Sequence, residues 1–239
     1  MGSEDGRRVD AEAVLAEAVK AFWVMVCVLA VIWIVQVVNW MDDYRLSVSY
    51  GIHARDVSDV TGILTAPFLH LSWAHIEGNS GPLFIFGFLA AYRGVARFAW
   101  VTAVVVVVSG LAAWFSEAPH TVGVGASGVV FGYFGYIMVR GFFDRHPIDM
   151  LIGAVMALCF AYQFTVLLPH AGIGWQAHIG GLVGGVAAGW IFRDRRAARA
   201  APGTAAAPAG KPGKAVSPAT GTFSGDRADL HKQLDDLGL

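Results

Sequence analysis

Apolar residues run through this chain in long stretches, each closed by a short break of polar residues or glycine. A hydrocarbon layer of about 30 Å needs roughly 20 apolar residues in helical form. Six stretches meet that need, at residues 21–40, 67–92, 95–115, 126–143, 148–168 and 175–192. The third holds a run of valines at 104–108. In water such a run favours a strand; in lipid it makes a helix face against acyl chains, because an isolated strand leaves its backbone unsatisfied there. The pattern therefore predicts an all-α membrane protein, a six-helix bundle whose fourth span is central and glycine-rich.

The breaks are informative in turn. Residues 41–66 are long for a connection and mix apolar residues with Asp42, Asp43, Arg45, Arg55, Asp56 and Asp59. A loop of that length is expected to carry structure of its own, part of it in the membrane interface. Residues 1–20 read as an acidic, helix-prone cytoplasmic segment. They precede an apolar stretch without a small-residue cleavage site, so the first span is expected to be retained. Residues 21–193 form the six-span domain. Residues 194–239, rich in Ala, Pro, Gly and Arg, predict a cytoplasmic disordered tail. Leu230, Leu234 and Leu237 near its end fall on one face of a short amphipathic helix.

Composition narrows the class. Hydrophobic residues make up 56% and charged residues 15% of the chain, where a soluble domain carries about 25% charged. That excludes a water-soluble enzyme, a disordered protein and a disulfide scaffold. The net charge of −1 gives no reason to expect nucleic acid as a partner. Cys27 and Cys159, both within apolar stretches, read as small buried hydrophobes, not as a disulfide or metal pair.

Charge position sets orientation. With the N-terminus inside, the inner segments hold Arg7, Arg8, Lys20, Arg93, Arg97, Arg140, Arg145, Arg193, Arg195, Arg196 and Arg199, and the outer loops only Arg45 and Arg55. This is the positive-inside pattern, with both termini cytoplasmic. Even-numbered spans then begin at the outer face. Near those beginnings stand four polar residues: His75 and Asn79 in the second span, Ser127 in the fourth, His178 in the sixth. Polar groups in hydrocarbon are costly and default to function. Any one of them has a packing explanation, but packing does not explain their shared depth.

The local spacing supports chemistry. His75 and Asn79 are four apart and share a helix face. Ser127 lies in Gly125-Ala126-Ser127-Gly128, where a helix start would aim free N–H groups and a positive dipole end at the hydroxyl. His178 is followed by Gly180, Gly181, Gly184 and Gly185, which permit close helix packing. A serine needs a base to become a nucleophile, and His178 is the imidazole at hand. With no carboxylate placed to orient it, the pair is a dyad. Asn79, His75 and the Ser127 N–H are the candidate oxyanion donors.

Three blocks of this sequence resemble the rhomboid family of intramembrane serine proteases: His70-Leu71-Ser72-Trp73-Ala74-His75-Ile76-Glu77-Gly78-Asn79, Gly125-Ala126-Ser127-Gly128, and Ala177-His178-Ile179-Gly180-Gly181 running on to Gly185. Their order, on the second, fourth and sixth of six spans, is what makes the match specific. The resemblance implies Ser127 as nucleophile, His178 as general base, and His75, Asn79 and the Ser127 N–H as the oxyanion hole, with His70, Gly125, Gly128, Phe131, Gly181 and Gly185 in support. It implies no metal and no cofactor. The implied substrates are other membrane proteins, cut in or beside an unstable transmembrane segment that enters past the fifth span and loop 168–174. The implied setting is a bacterial cell membrane, with the site open to the extracytoplasmic side. Phe131 stands where many bacterial members have a tyrosine stacked on the imidazole. No Trp-Arg pair occurs in the first outer loop, and Glu77, pointing away from His75, calls for a partner.

Beside a pure packing or channel role, which leaves the shared depth of Ser127 and His178 unexplained, two rival readings remain at this level. One is a catalytically inactive relative that binds transmembrane helices. The other is a metal-dependent hydrolase or transporter using His70, His75 and His178, which lacks matching acidic residues and any HExxH motif.

Overall fold

The computed structural model describes residues 2–170 and 172–194; the expected tail and its terminal helix lie outside the described residues. Each apolar stretch contains a helix. They are α1 (Gly2–Met41), α4 (Trp73–Ala91), α5 (Val95–Ser116), α6 (Ser127–Asp144), α7 (Pro147–Cys159) and α8 (Trp175–Ile191), with the short α2 (Arg45–Tyr50) and α3 (Gly62–Thr65) in the first loop. The first helix extends back through the N-terminal segment without a break. Among the described residues two helices, Ala11–Met41 and Val95–Ser116, are long and apolar enough by themselves to cross a membrane. The others carry His, Asn, Arg and Asp or are shorter, which dilutes the same signal.

Two boundaries differ from the sequence expectation for physical reasons. The second stretch becomes helical only at Trp73, because Pro67 sits in a 3-10 turn (Ala66–Phe68), after which Leu69 and Ser72 take extended backbone angles. Ser72 caps α4, its hydroxyl accepting the N–H of His75 at 3.1 Å, so the cap also fixes the backbone of a candidate site residue. The fifth stretch is two pieces: α7 ends at Cys159, and after a 65° bend a 3-10 helix runs from Ala161 to Leu167. Inside that piece the Thr165 hydroxyl donates to the Tyr162 carbonyl at 2.7 Å, a local bond that suits the tighter winding.

The chain is not purely α. Strand β1 (Ile52–His53) pairs antiparallel with β2 (Val122–Gly123), tying the long loop after α1 to the segment that leads into Ser127. The loop is further held on α5, where Trp114 Nε1 donates to the Asp56 carbonyl at 3.1 Å and Ile63 lies against Gly110. Cys27 and Cys159 are free, and both are exposed on outward helix faces, not buried as the sequence suggests.

Helix α6 lies at the centre, with Val129 to Ile137 buried and α4, α5, α7 and α8 around it. The valine run is helical: Val105 is fully buried against Gly132, while Val107 faces outward. Outward faces are apolar, including Trp23, Ile34, Trp100, Val183 and Trp190. Surface of that kind is tolerated in lipid and not in water. At the end of α6 away from Ser127, Asp149 pairs with Arg93 and, at 2.7 Å, with the buried Arg140, joining the ends of α4, α6 and α7.

Candidate active site

Ser127 is the first residue of α6, and Ala126 ahead of it provides no side-chain cap. The leading N–H groups of the helix therefore lack intrahelical acceptors and face outward from the helix end. Gly125 makes the approach possible. Its φ of +120° is a conformation that side chains disfavour, and a Cβ there would stand 2.7 Å from His75 Nε2. Glycine is required on both counts.

His178, in the first turn of α8, reaches across to this helix start. Its Nε2 lies 2.9 Å from Ser127 Oγ and its Nδ1 2.9 Å from the carbonyl oxygen of Val166. The carbonyl can only accept, so Nδ1 carries the proton and Nε2 is left to receive the Ser127 hydroxyl. Phe131, one turn along α6, stacks on the imidazole at 4.6 Å and 25° between planes. The ring is thus held by a bond at one nitrogen and a face beside it.

The two helices meet closely enough because glycines line their contact. A Cβ on Gly181 would strike the carbonyl of Gly128, and one on Gly185 that of Gly132. Opposite, α4 brings His75 and Asn79 to the same spot: Asn79 Nδ2 is 3.8 Å from the Cβ position of Gly125. Asn79 is 9% exposed and its Nδ2 has no hydrogen-bond partner. An unsatisfied buried donor costs about 1–3 kcal/mol, so an amide left in that condition beside a serine has the standing of a binding group.

These residues share one cleft of about 970 Å³, bounded by the ends of α4 and α8, by β2 and by the 3-10 piece after α7. The arrangement can pass a proton from hydroxyl to imidazole and offer N–H donors to an oxygen nearby. Among the described residues Glu117, just past α5, is its one acidic lining residue, lying beside Gly123 and Gly174. Burial pushes this carboxyl above its ordinary range, against the opposing effect of the Thr121 hydroxyl. Among the described residues no three His, Cys, Asp or Glu side chains gather as a metal would require.

All four residues singled out for depth meet here. His70 is fully buried, and its Nε2 accepts the N–H of Ala126 at 3.4 Å. Glu77 is exposed on α4. The sequence does not reveal the Val166 carbonyl, since a backbone acceptor has no side-chain signature. Asn39 and Ser47, which bond to the backbone of His70, are also unforeseen. For Asn39 the signal is present: a polar residue in the first span meets the same criterion as Asn79.

The fold and this site define a helical membrane protein with a serine–histidine pair at a helix start. Comparison with known proteins agrees. The family model described as the Rhomboid domain matches residues 57–195. An uncharacterized protein of Mycobacterium tuberculosis is 33% identical over 181 residues, 72% of this chain and 75% of its own. The rhomboid protease GlpG of Haemophilus influenzae is 26% identical over 180 residues, 74% of this chain and 93% of its own. The putative rhomboid protease YdcA of Bacillus subtilis is 29% identical over 166 residues, with shares of 65% and 80%. The chain belongs to the rhomboid family, whose members are generally serine proteases of the membrane.

Proposed function

We propose that this protein is an intramembrane serine endopeptidase that hydrolyses peptide bonds in or beside transmembrane segments of other membrane proteins. The observation that carries the reading is the 2.9 Å contact of Ser127 Oγ with an imidazole whose far nitrogen is anchored on Val166. In this mechanism Ser127 Oγ attacks the scissile carbonyl carbon and its proton passes to His178 Nε2. The oxygen of the tetrahedral adduct takes hydrogen bonds from the Ser127 N–H, His75 and Asn79. His178 then protonates the departing amine, leaving an acyl ester on Ser127. A water molecule, deprotonated by His178, releases it.

The same reading gives residues 21–193 as a six-span domain in a bacterial cell membrane, with both termini cytoplasmic. Ser127 then opens to the extracytoplasmic side, and substrate helices enter past α7 and loop 168–174. The fully retained Ser–His pair favours hydrolysis over the inactive, helix-binding alternative.

The test uses purified protein in detergent with a model transmembrane substrate. Ser127→Ala abolishes cleavage while leaving thermal unfolding unchanged, and Asn79→Ala lowers kcat by up to roughly 10²–10³-fold. Cleavage at the wild-type rate by Ser127→Ala rules the mechanism out. Chelator leaves the rate unchanged under this mechanism, whereas loss restored by zinc selects the metal-dependent alternative.

A further inference from the structure

Three uncharged side chains with no exposure to solvent link the first outer loop to the peptide ahead of Ser127. They are Asn39 at the end of α1, Ser47 in α2 and His70 before α4, each 0% exposed. Asn39 Nδ2 donates to Ser47 Oγ at 2.8 Å and to the carbonyl of His70 at 2.9 Å, and its Oδ1 accepts the Ser47 N–H at 3.1 Å. The Ser47 hydroxyl donates to that same carbonyl at 3.3 Å. Both N–H groups of the Asn39 amide and its oxygen are thereby engaged, which fixes its orientation.

A turn that only reversed the chain would be served by the bonds between Asn39 and Ser47. The two bonds to His70 reach further, because they clamp the backbone of a residue whose ring touches the site twice. Its Nε2 accepts the N–H of Ala126 at 3.4 Å, and its ring meets that of His75 edge-on at 4.9 Å between centroids. The neighbouring Gly125 N–H is held by the Ala66 carbonyl at 2.9 Å. The peptide leading into Ser127 is thus tied at two successive nitrogens, one of them through this chain of bonds.

We propose that Asn39 and Ser47 are positioning residues for the hydrolytic site, acting through His70 on the Ala126 peptide and on the ring of His75. The proposal rests on Ser127 being the nucleophile. Cutting the chain misplaces oxyanion donors, whose bonds form on the tetrahedral adduct and not on the bound substrate. The loss therefore falls on kcat and not on KM.

The experiment measures cleavage of a transmembrane substrate, and fluorophosphonate labelling of Ser127, in detergent below the unfolding temperature of each variant. Asn39→Ala and Ser47→Ala lower kcat and the labelling rate by roughly 10–100-fold, with KM held within about twofold. Ser47→Thr, which keeps a hydroxyl, retains most of the rate. His70→Gln, which keeps an acceptor for the Ala126 N–H, exceeds His70→Phe, which keeps only a ring. Wild-type kcat in both Asn39→Ala and Ser47→Ala, a raised KM in place of a lowered kcat, or equal rates for the two His70 variants overturns the proposal. Where Asn39→Ala does not fold, the Ser47 and His70 pairs decide alone. A wild-type protein whose Ser127 is neither labelled nor needed for cleavage removes the parent reading, so the control separates the two failures.

Discussion

Phe131 shows how one ring substitution is accommodated. An aromatic face is what the His178 imidazole meets, and a phenyl ring supplies it as well as a phenol. Stacked pairs contribute about 0.5–1.5 kcal/mol beyond area burial. Phe131→Tyr is expected to keep near-normal turnover, while Phe131→Ala loses up to roughly tenfold in kcat, read from initial rates at saturating substrate. Glu117 yields a prediction of another kind. Its carboxyl is raised by burial, so between the ordinary carboxylate pKa and the raised one the folded chain holds a proton that the unfolded chain releases. Stability then falls as pH rises through that window and levels off above it. Glu117→Gln lacks this slope and melts higher than wild type above the window, as thermal unfolding from about pH 4 to about pH 7 would record.

At the scale of elements, the pairing of α6 with α8 decides whether a dyad exists. Their glycines leave backbone against side chain or backbone, with no space for even a methyl at Gly181 or Gly185. Gly185→Val forces the helices apart. Overpacking costs about 1–3 kcal/mol, and separating Ser127 from His178 by about 1 Å costs roughly 10²-fold in rate. Both are measurable, as a lowered unfolding temperature and lowered kcat. Gly81 on α4 is the contrast, since nothing lies within 4 Å of a Cβ there. Gly81→Ala is expected to be neutral or to stabilise by up to about 1 kcal/mol. Glycine is a requirement on one helix pair and an incidental residue on another, a distinction that the sequence alone does not draw.

For the molecule as a whole, the helices and the meeting of Ser127, His178, His75 and Asn79 were legible because lipid imposes few options: apolar stretches must coil, and polar residues within them need a reason. What escaped the sequence lies where backbone does the work. The β1–β2 pair is only two residues long, below the reach of periodicity. The break after Cys159 depends on local winding and not on proline. The first loop is expected to carry structure of its own, but the bonds of Asn39 and Ser47 to the backbone of His70 leave no pattern to read. The Val166 carbonyl has a consequence of its own. It lies in the last turn of a 3-10 helix, where peptide oxygens carry partial negative charge. In the proposed cycle that fraction of a charge steadies the imidazolium in place of a buried carboxylate, whose dehydration costs several kcal/mol. The Ser127–His178 pair then carries no full charge at rest, and charges arise on it only for the lifetime of each reaction intermediate.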